Sequence, residues 1–254
     1  MLKPRFIPVL LLRGSGLYKT TKFRDAIYVG DPINAVRIFN EKAVDELIIL
    51  DIDAYKSSSG PRLEVLAEIA SEAFIPLCYG GGVRSLSDFE ALFRLGVEKV
   101  AVNSAVAQSM LLVEQAAKVF GNQSVVVSID FRRTFLGRYR RYSSGGTVEL
   151  KGSLEAVVRE AERAGAGEIL INSIDRDGTM AGYDLELLRE ASSAVNVPIV
   201  ACGGAGSLSD MASAIREGGA SAAAAGSLFV FKGRHRAVLI TYPDEAQIDA
   251  SLQT

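Results

Sequence analysis

One passage occurs twice in this chain, about 120 residues apart, and the repetition restricts the available folds more than any other feature. Ile75-Pro76-Leu77-Cys78-Tyr79-Gly80-Gly81-Gly82-Val83-Arg84-Ser85-Leu86-Ser87-Asp88 returns as Val197-Pro198-Ile199-Val200-Ala201-Cys202-Gly203-Gly204-Ala205-Gly206-Ser207-Leu208-Ser209-Asp210. Pro76 matches Pro198 and Gly81 matches Gly203, an offset of 122 in both cases. Each copy is a short apolar run, a glycine turn and a Ser-Leu-Ser-Asp helix start. Such a unit is a strand that delivers backbone N–H groups to a helix N-terminus, where the helix dipole favours an anion. Two of them predict a ligand with a phosphate at each end.

Apolar runs recur at Phe6–Leu12, Leu47–Leu50, Pro76–Cys78, Val100–Val102, Val125–Ile129, Ile169–Ile171, Pro198–Ala201 and Ala222–Ala225. Most lack polar alternation, as strands of a parallel sheet buried on both faces do. Helical spacing of apolar residues fills the gaps, at Ala35–Lys42, Leu63–Glu72, Leu86–Leu95, Leu111–Val119, Leu154–Ala164, Leu185–Ala194 and Leu208–Glu217. Asp31, Ser85 and Ser207 are readable helix caps. Eight strands alternating with helices over 254 residues predict one (β/α)8 TIM barrel spanning 1–254, with half-barrels of about 1–122 and 123–254. A doubly wound open sheet is the competing fold; four-plus-four units close evenly, which favours the barrel.

The net charge of −2 gives no global field for nucleic acid or an acidic membrane. The N-terminus lacks the apolar core of a signal peptide, and no apolar run approaches the roughly 18 residues of a membrane helix. A soluble cytoplasmic protein is expected. Cys78, Cys202 and a single histidine do not suggest a disulfide, a metal site or a cofactor.

Barrel active sites gather at the C-terminal ends of strands. There lie Leu11, Asp51, Asp53, Gly81, Gly82, Asn103, Ser104, Asp130, Ser173 to Thr179, Gly204, Gly206, Gly226 and Ser227. Asn103 and Ser104 would complete the first phosphate cradle, and Gly226 and Ser227 the second. Residues 14–31 form a glycine-flanked stretch that reads as a mobile lid. Lys19 on it is either a cation for a phosphate or a plain surface lysine. Residues 132–152 read as a hairpin inserted after the fifth strand, with its Arg-Tyr cluster a solvated ribbon. Asp130 is a candidate general acid or base, or a structural partner of Arg132 or Lys19. Asp177-Gly178 either orients the second phosphate turn or is an ordinary turn. His235, in a basic run, reads as solvated.

Gly80–Gly82, Val125–Asp130, Gly165–Leu170, Ser173–Thr179 and Gly203–Gly206 together resemble the cyclase subunit of imidazole glycerol phosphate synthase over essentially the full length. The resemblance implies a duplicated (β/α)8 barrel. It also implies a glutaminase partner docked at the N-terminal face, whose ammonia crosses the barrel to meet a bisphosphorylated substrate. The resemblance further implies a ring of charges at the ammonia entrance, matched here by Arg5, Glu46, Lys99 and Glu168. Such a ring is either part of a conduit or an ordinary salt-bridged plug.

One position departs. The family's cyclase uses two aspartates, at the ends of the first and fifth strands. The second matches Asp130, but the first falls on Leu11. The repeat shows the same mismatch, since aligning Arg13 with Arg132 sets Leu11 opposite Asp130 at an offset of 119. Leucine cannot carry a proton. Leu10-Leu11-Leu12 at the first strand end, Lys19-Thr20-Thr21-Lys22-Phe23 and Val29-Gly30-Asp31-Pro32-Ile33-Asn34-Ala35 resemble a divergent branch of the family, encoded with surface-polysaccharide genes, that helps install acetamidino groups on N-acetylated sugars of lipopolysaccharide. Its implied further partner is a sugar amidotransferase. Histidine-pathway cyclisation by Asp130 alone, and a non-catalytic scaffold that activates a glutaminase, are the alternatives.

Overall fold

The computed structural model describes residues 3–57 and 59–253. Eight parallel strands form its centre: β1 (Arg5–Arg13), β4 (Leu47–Asp51), β5 (Leu77–Gly80), β6 (Lys99–Val102), β7 (Val125–Arg133), β10 (Glu168–Ser173), β11 (Ile199–Cys202) and β12 (Ala222–Ala225). Each pairs with the next, and β12 pairs with β1 through Arg5↔Ala222 to Pro8↔Ala225, so the sheet closes. The chain is a (β/α)8 TIM barrel.

Helices α1 (Pro32–Glu41), α2 (Leu63–Glu72), α3 (Leu86–Arg94), α4 (Leu111–Phe120), α5 (Leu154–Arg163), α6 (Leu185–Ala194) and α7 (Leu208–Arg216) cover the outside. Two further helices, α8 (Ser227–Val230) and α9 (Glu245–Gln253), follow the last barrel strand. The repeated passage builds the same cap twice. Ser85 and Ser207 accept from the N–H groups of Asp88 and Asp210, whose carboxylates accept in return from the cap N–H groups. These are capping boxes, which satisfy two orphan donors at each helix start. Asp31 caps α1 ahead of Pro32, as the sequence predicts.

Two apolar layers divide the molecule. The larger lies between sheet and helices and includes Phe6, Phe39, Leu66 and Phe89. The smaller fills the barrel with Ile7, Val9, Leu11, Ile48, Cys78, Ala101, Val126, Leu170, Val200, Ala222 and Ala224. The inward set on β1 is thus every second residue, as strand alternation requires.

The stretch 14–31, read from the sequence as a mobile lid, has regular structure. It is an antiparallel ribbon of β2 (Gly16–Thr21) and β3 (Arg24–Gly30), with β2 hydrogen-bonded to the top of β1. The hairpin expected over 132–152 is present as β8 (Tyr139–Ser143) and β9 (Val148–Leu150), with β8 paired to the top of β7. The first strand of each half therefore carries a ribbon. A short β13 (Phe231–Lys232) and β14 (Ala237–Val238) pair near the C-terminus. No helix among the described residues is long and apolar enough to cross a membrane.

Phe89 is fully buried and stacks on Phe120, with ring centroids 6.0 Å apart. Phe89→Ala is expected to cost about 3–5 kcal/mol through lost transfer energy and the cavity left behind; urea unfolding of variant against parent measures it.

Candidate functional site

A cavity of about 370 Å³ opens at the C-terminal ends of the strands, reaching from Val9 and Leu11 up to both ribbons. Asp130 stands in its wall and is 7% exposed. Asn103 Nδ2 donates to its Oδ2 at 3.0 Å, and Asn172 Nδ2 to its Oδ1 at 3.3 Å. It forms no ion pair among the described residues. Arg132 lies instead near Asp175 at 3.8 Å and over the Tyr142 ring, while Lys19 binds Asp177. Burial pushes the Asp130 carboxyl up to about 7, and Asp177 adds to the rise against the two amide donors and Arg141. A carboxyl with that affinity can give or take a proton near neutral pH.

Leu11, 8% exposed, belongs to the apolar filling below the mouth and pairs in register with Leu50. Cys202 also lines the cavity, and burial raises its thiol to about 12, so it stays protonated. At the second strand end Asp51 is held by a two-pronged Arg62 guanidinium at 2.7 Å on each oxygen, and Asp53 bonds Arg13 and Lys56.

Gly81, Gly82, Asn103 and Ser104 line one side of the cavity, and Gly204, Gly226 and Ser227 the other. The N–H groups of the two long repeated helices are less available than the sequence suggests. Arg84 and Ser85 donate to Asp88, and Gly206 and Ser207 donate to Asp210. Gly206 is thus tied to its own helix cap. The short helical turns at Ser104–Val106 and Ser227–Val230 have no side-chain cap bond. Ser104, Ala105, Gly226 and Ser227 at their starts line the mouth. Ser227 Oγ is buried and without a hydrogen-bond partner among the described residues. A short extra helix near the last strands is a common phosphate seat in barrels of this kind. Asn103 spends its amide on Asp130 and on the Ser128 carbonyl. Gly204 has φ +126° and passes so close to the preceding loop that a Cβ would lie 2.2 Å from the Gly182 oxygen.

Lys19 is buried, not a surface lysine. Its Nζ meets Asp177 Oδ1 at 2.9 Å, and its stem lies over Gly226. Thr20 Oγ1 donates to Asp177 Oδ2 at 2.8 Å and the Phe23 N–H to the same oxygen at 3.3 Å. Asp177 therefore ties the first ribbon to the rim. Gly178 (φ +68°) sits beneath it, with space for no Cβ next to the Thr20 oxygen. Above the cavity the turn at Gly145 and Gly146 touches Tyr55 and Phe23. Exposed Arg234 and His235 lie in the turn between β13 and β14.

The opposite end of the barrel is closed by four charges. Arg5 donates to Glu46 and, at 2.7 Å, to Glu168. Lys99 Nζ reaches Glu46 at 2.8 Å and Glu168 at 3.1 Å. Each cation touches both carboxylates, so the ring is continuous. Burial lifts the Glu46 carboxyl above its ordinary value, with Lys99 opposing. Burial also works against the Arg5 charge, but Glu168 and Glu46 outweigh it and hold that group above its usual value.

Residues 5–236 match a family described as histidine biosynthesis proteins. A Pseudomonas aeruginosa protein provisionally named imidazole glycerol phosphate synthase subunit hisF2 is 52% identical over 249 residues, 98% of this chain and 99% of its own. A hisF3 of Vibrio vulnificus, also provisionally named, is 44% identical across 100% of this chain and 98% of its own. The imidazole glycerol phosphate synthase subunit HisF of Alkaliphilus metalliredigens is 42% identical over 90% of this chain and 91% of its own. The chain belongs to the HisF family. Within that family frame, the sequence reading missed Asn172, Arg62 and Arg141. Asn172 lies one residue beyond the apolar run Ile169–Ile171 and becomes visible only through its register with Asp130. Arg141, 7% exposed, donates to the Val106 carbonyl from inside what reads as a solvated Arg-Tyr ribbon.

The folded Asp130 carboxyl lies above its unfolded value of 3.8, so the native chain binds more protons than the unfolded one between about pH 4 and 7. Its contribution lowers stability as pH rises through that window, by roughly 4 kcal/mol in total. Asp130→Asn, which lacks this titration, is expected to gain stability on the parent between pH 4 and pH 8. Denaturant unfolding of both proteins at several pH values reads the difference.

Proposed function

We propose that this barrel takes ammonia from a glutaminase docked on its N-terminal face and delivers it to the mouth. There it serves acetamidino-group formation on an N-acetylated sugar of a surface polysaccharide, carried out with a sugar amidotransferase. The observation that carries this reading is Leu11. Its side chain packs with Leu50 and the inner apolar cluster at the strand end where the resemblance implies a second catalytic aspartate, and Asp51, Asp53 and Asp177 at the same mouth are each paired with cations. The continuous ring of Arg5, Glu46, Lys99 and Glu168 supports a regulated opening at the floor. Pairing each charge with two partners offsets the desolvation of this part-buried ring. On the same face Phe74 is 85% exposed and Val119 61% exposed, apolar surface suited to a docked subunit.

A phosphorylated small molecule in the cavity, as intermediate or effector, fits the uncapped turns at Ser104 and Ser227, with Lys19, Gly81, Gly82, Gly204 and Gly226 around them. Asp177 and Gly178 hold Lys19 and its ribbon over that site. The second reading is the histidine-pathway cyclase, in which Asp130 alone moves protons; its raised affinity near neutral pH favours that possibility.

Ammonium-driven formation of imidazole glycerol phosphate separates the two. The proposal expects turnover about 10²–10⁴-fold below that of relatives with both aspartates, and partial recovery in Leu11→Asp. Turnover equal to those relatives defeats it. In a reconstituted system, Lys99→Ala is expected to leave glutaminase docking intact while removing ammonia-dependent support of the sugar amidotransferase. Retention of that support would leave the ring a plug and not a conduit.

A further inference from the structure

Asn172 and Asp130 occupy one register position where β10 pairs with β7. Asn172 is 7% exposed, and its Nδ2 donates to Asp130 Oδ1 at 3.3 Å. Its Oδ1 is buried with no hydrogen-bond partner among the described residues. Leaving an amide oxygen unsatisfied in the interior is costly, so its presence calls for a compensating state in which it is used. Gly203 leaves it room, since a Cβ there would lie 2.7 Å from that oxygen.

The first half-barrel acts as an internal control. Its matching register position pairs Leu11 with Leu50, 119 residues before Asp130 and 122 before Asn172. Where the carboxyl is missing, the amide is missing as well. Strand packing alone therefore does not require an asparagine at this height.

A carboxyl that handles a proton changes its hydrogen-bonding character. Ionised, it accepts on both oxygens; protonated, it also donates. Asn103 serves only the first need, because its Nδ2 is also anchored to the Ser128 carbonyl at 3.0 Å. We propose that Asn172 is the positioning residue for Asp130, turning its amide over so that Nδ2 faces the ionised carboxylate and Oδ1 accepts from the protonated one. The oxygen without a partner in the present state is the acceptor of the other state. The carboxyl then keeps its orientation through the whole proton cycle.

Other charged groups face this pair without replacing it. Asp177 beyond β10 raises the Asp130 affinity, and Arg141 on β8 lowers it. Lys19 on β2 is bound to Asp177. Cys202 at the end of β11 remains a thiol throughout the range.

The inference rests on the reading of Asp130 as the proton-carrying group, and NMR separates the two. Protein labelled with carboxyl-¹³C aspartate and ¹⁵N asparagine is titrated without ligand. Asp130 is expected to titrate near 7, with the Asn172 side-chain N–H resonances moving at the same midpoint. Asn172→Leu, which places the first half's residue here, removes a bond from each state and is expected to tighten proton binding by about three- to tenfold, the excess of a charged hydrogen bond over a neutral one. Asn172→Thr, whose hydroxyl both donates and accepts, is expected to restore most of the parent midpoint. Static Asn172 resonances across the titration, or a parental midpoint in Asn172→Leu, would overturn the amide turnover while leaving Asp130 as proton carrier. An Asp130 midpoint near 4 in the parent would remove the proton carrier itself, and the inference with it.

Discussion

Closure of the sheet at the β12–β1 seam is the constraint on which everything else in this molecule depends. Once the strands form a ring, alternate side chains must point inward, and a strand becomes a vertical scale from floor to mouth. β1 shows the whole scale: Arg5 in the charge ring, Ile7 and Val9 in the apolar filling, Leu11 beneath the mouth. Polar chemistry is allowed at the two ends, where neighbouring strands supply partners, and not between. The same enclosure explains why burial is the main cause of the shifts at Asp130, Cys78 and Cys202.

The two halves share a frame and differ in what they mount on it. Both build identical capping boxes and both crown their first strand with a ribbon. At the height where chemistry is possible they diverge: Leu11 with Leu50 in one, Asp130 with Asn172 in the other. At that one height the barrel is apolar on the first-half side and polar on the second. A ligand bound across it would meet unlike walls despite the repeated backbone.

Much of this is written openly in the sequence. Unalternating apolar runs such as Val125–Ile129 become barrel strands because both faces are buried. Ser-Leu-Ser-Asp becomes a cap twice because serine and aspartate satisfy orphan N–H groups there. The first ribbon escaped notice for a physical reason. Its turn places Lys22 and Phe23 at positive φ, where Asn-Gly would be the usual signal. Backbone and carboxylate contacts from Asp177, more than 150 residues away, hold that turn. The capping aspartates also have an effect that local reading overlooks: by serving their own helices they withdraw N–H groups from any anion. Lys19 and Asn172 depend on partners across the barrel, and no local pattern reports such partners.

The charge ring also makes the two halves electrically unlike. Arg5, Glu46 and Lys99 come from the first half, which brings a net positive floor, whereas Glu168 comes from the second, which brings a negative one. Two copies of either half would confront like charges in a poorly hydrated space, while one of each cancels them. Fragments cut between the halves should therefore prefer each other to themselves, so the floor also acts as a mating code that discourages self-pairing.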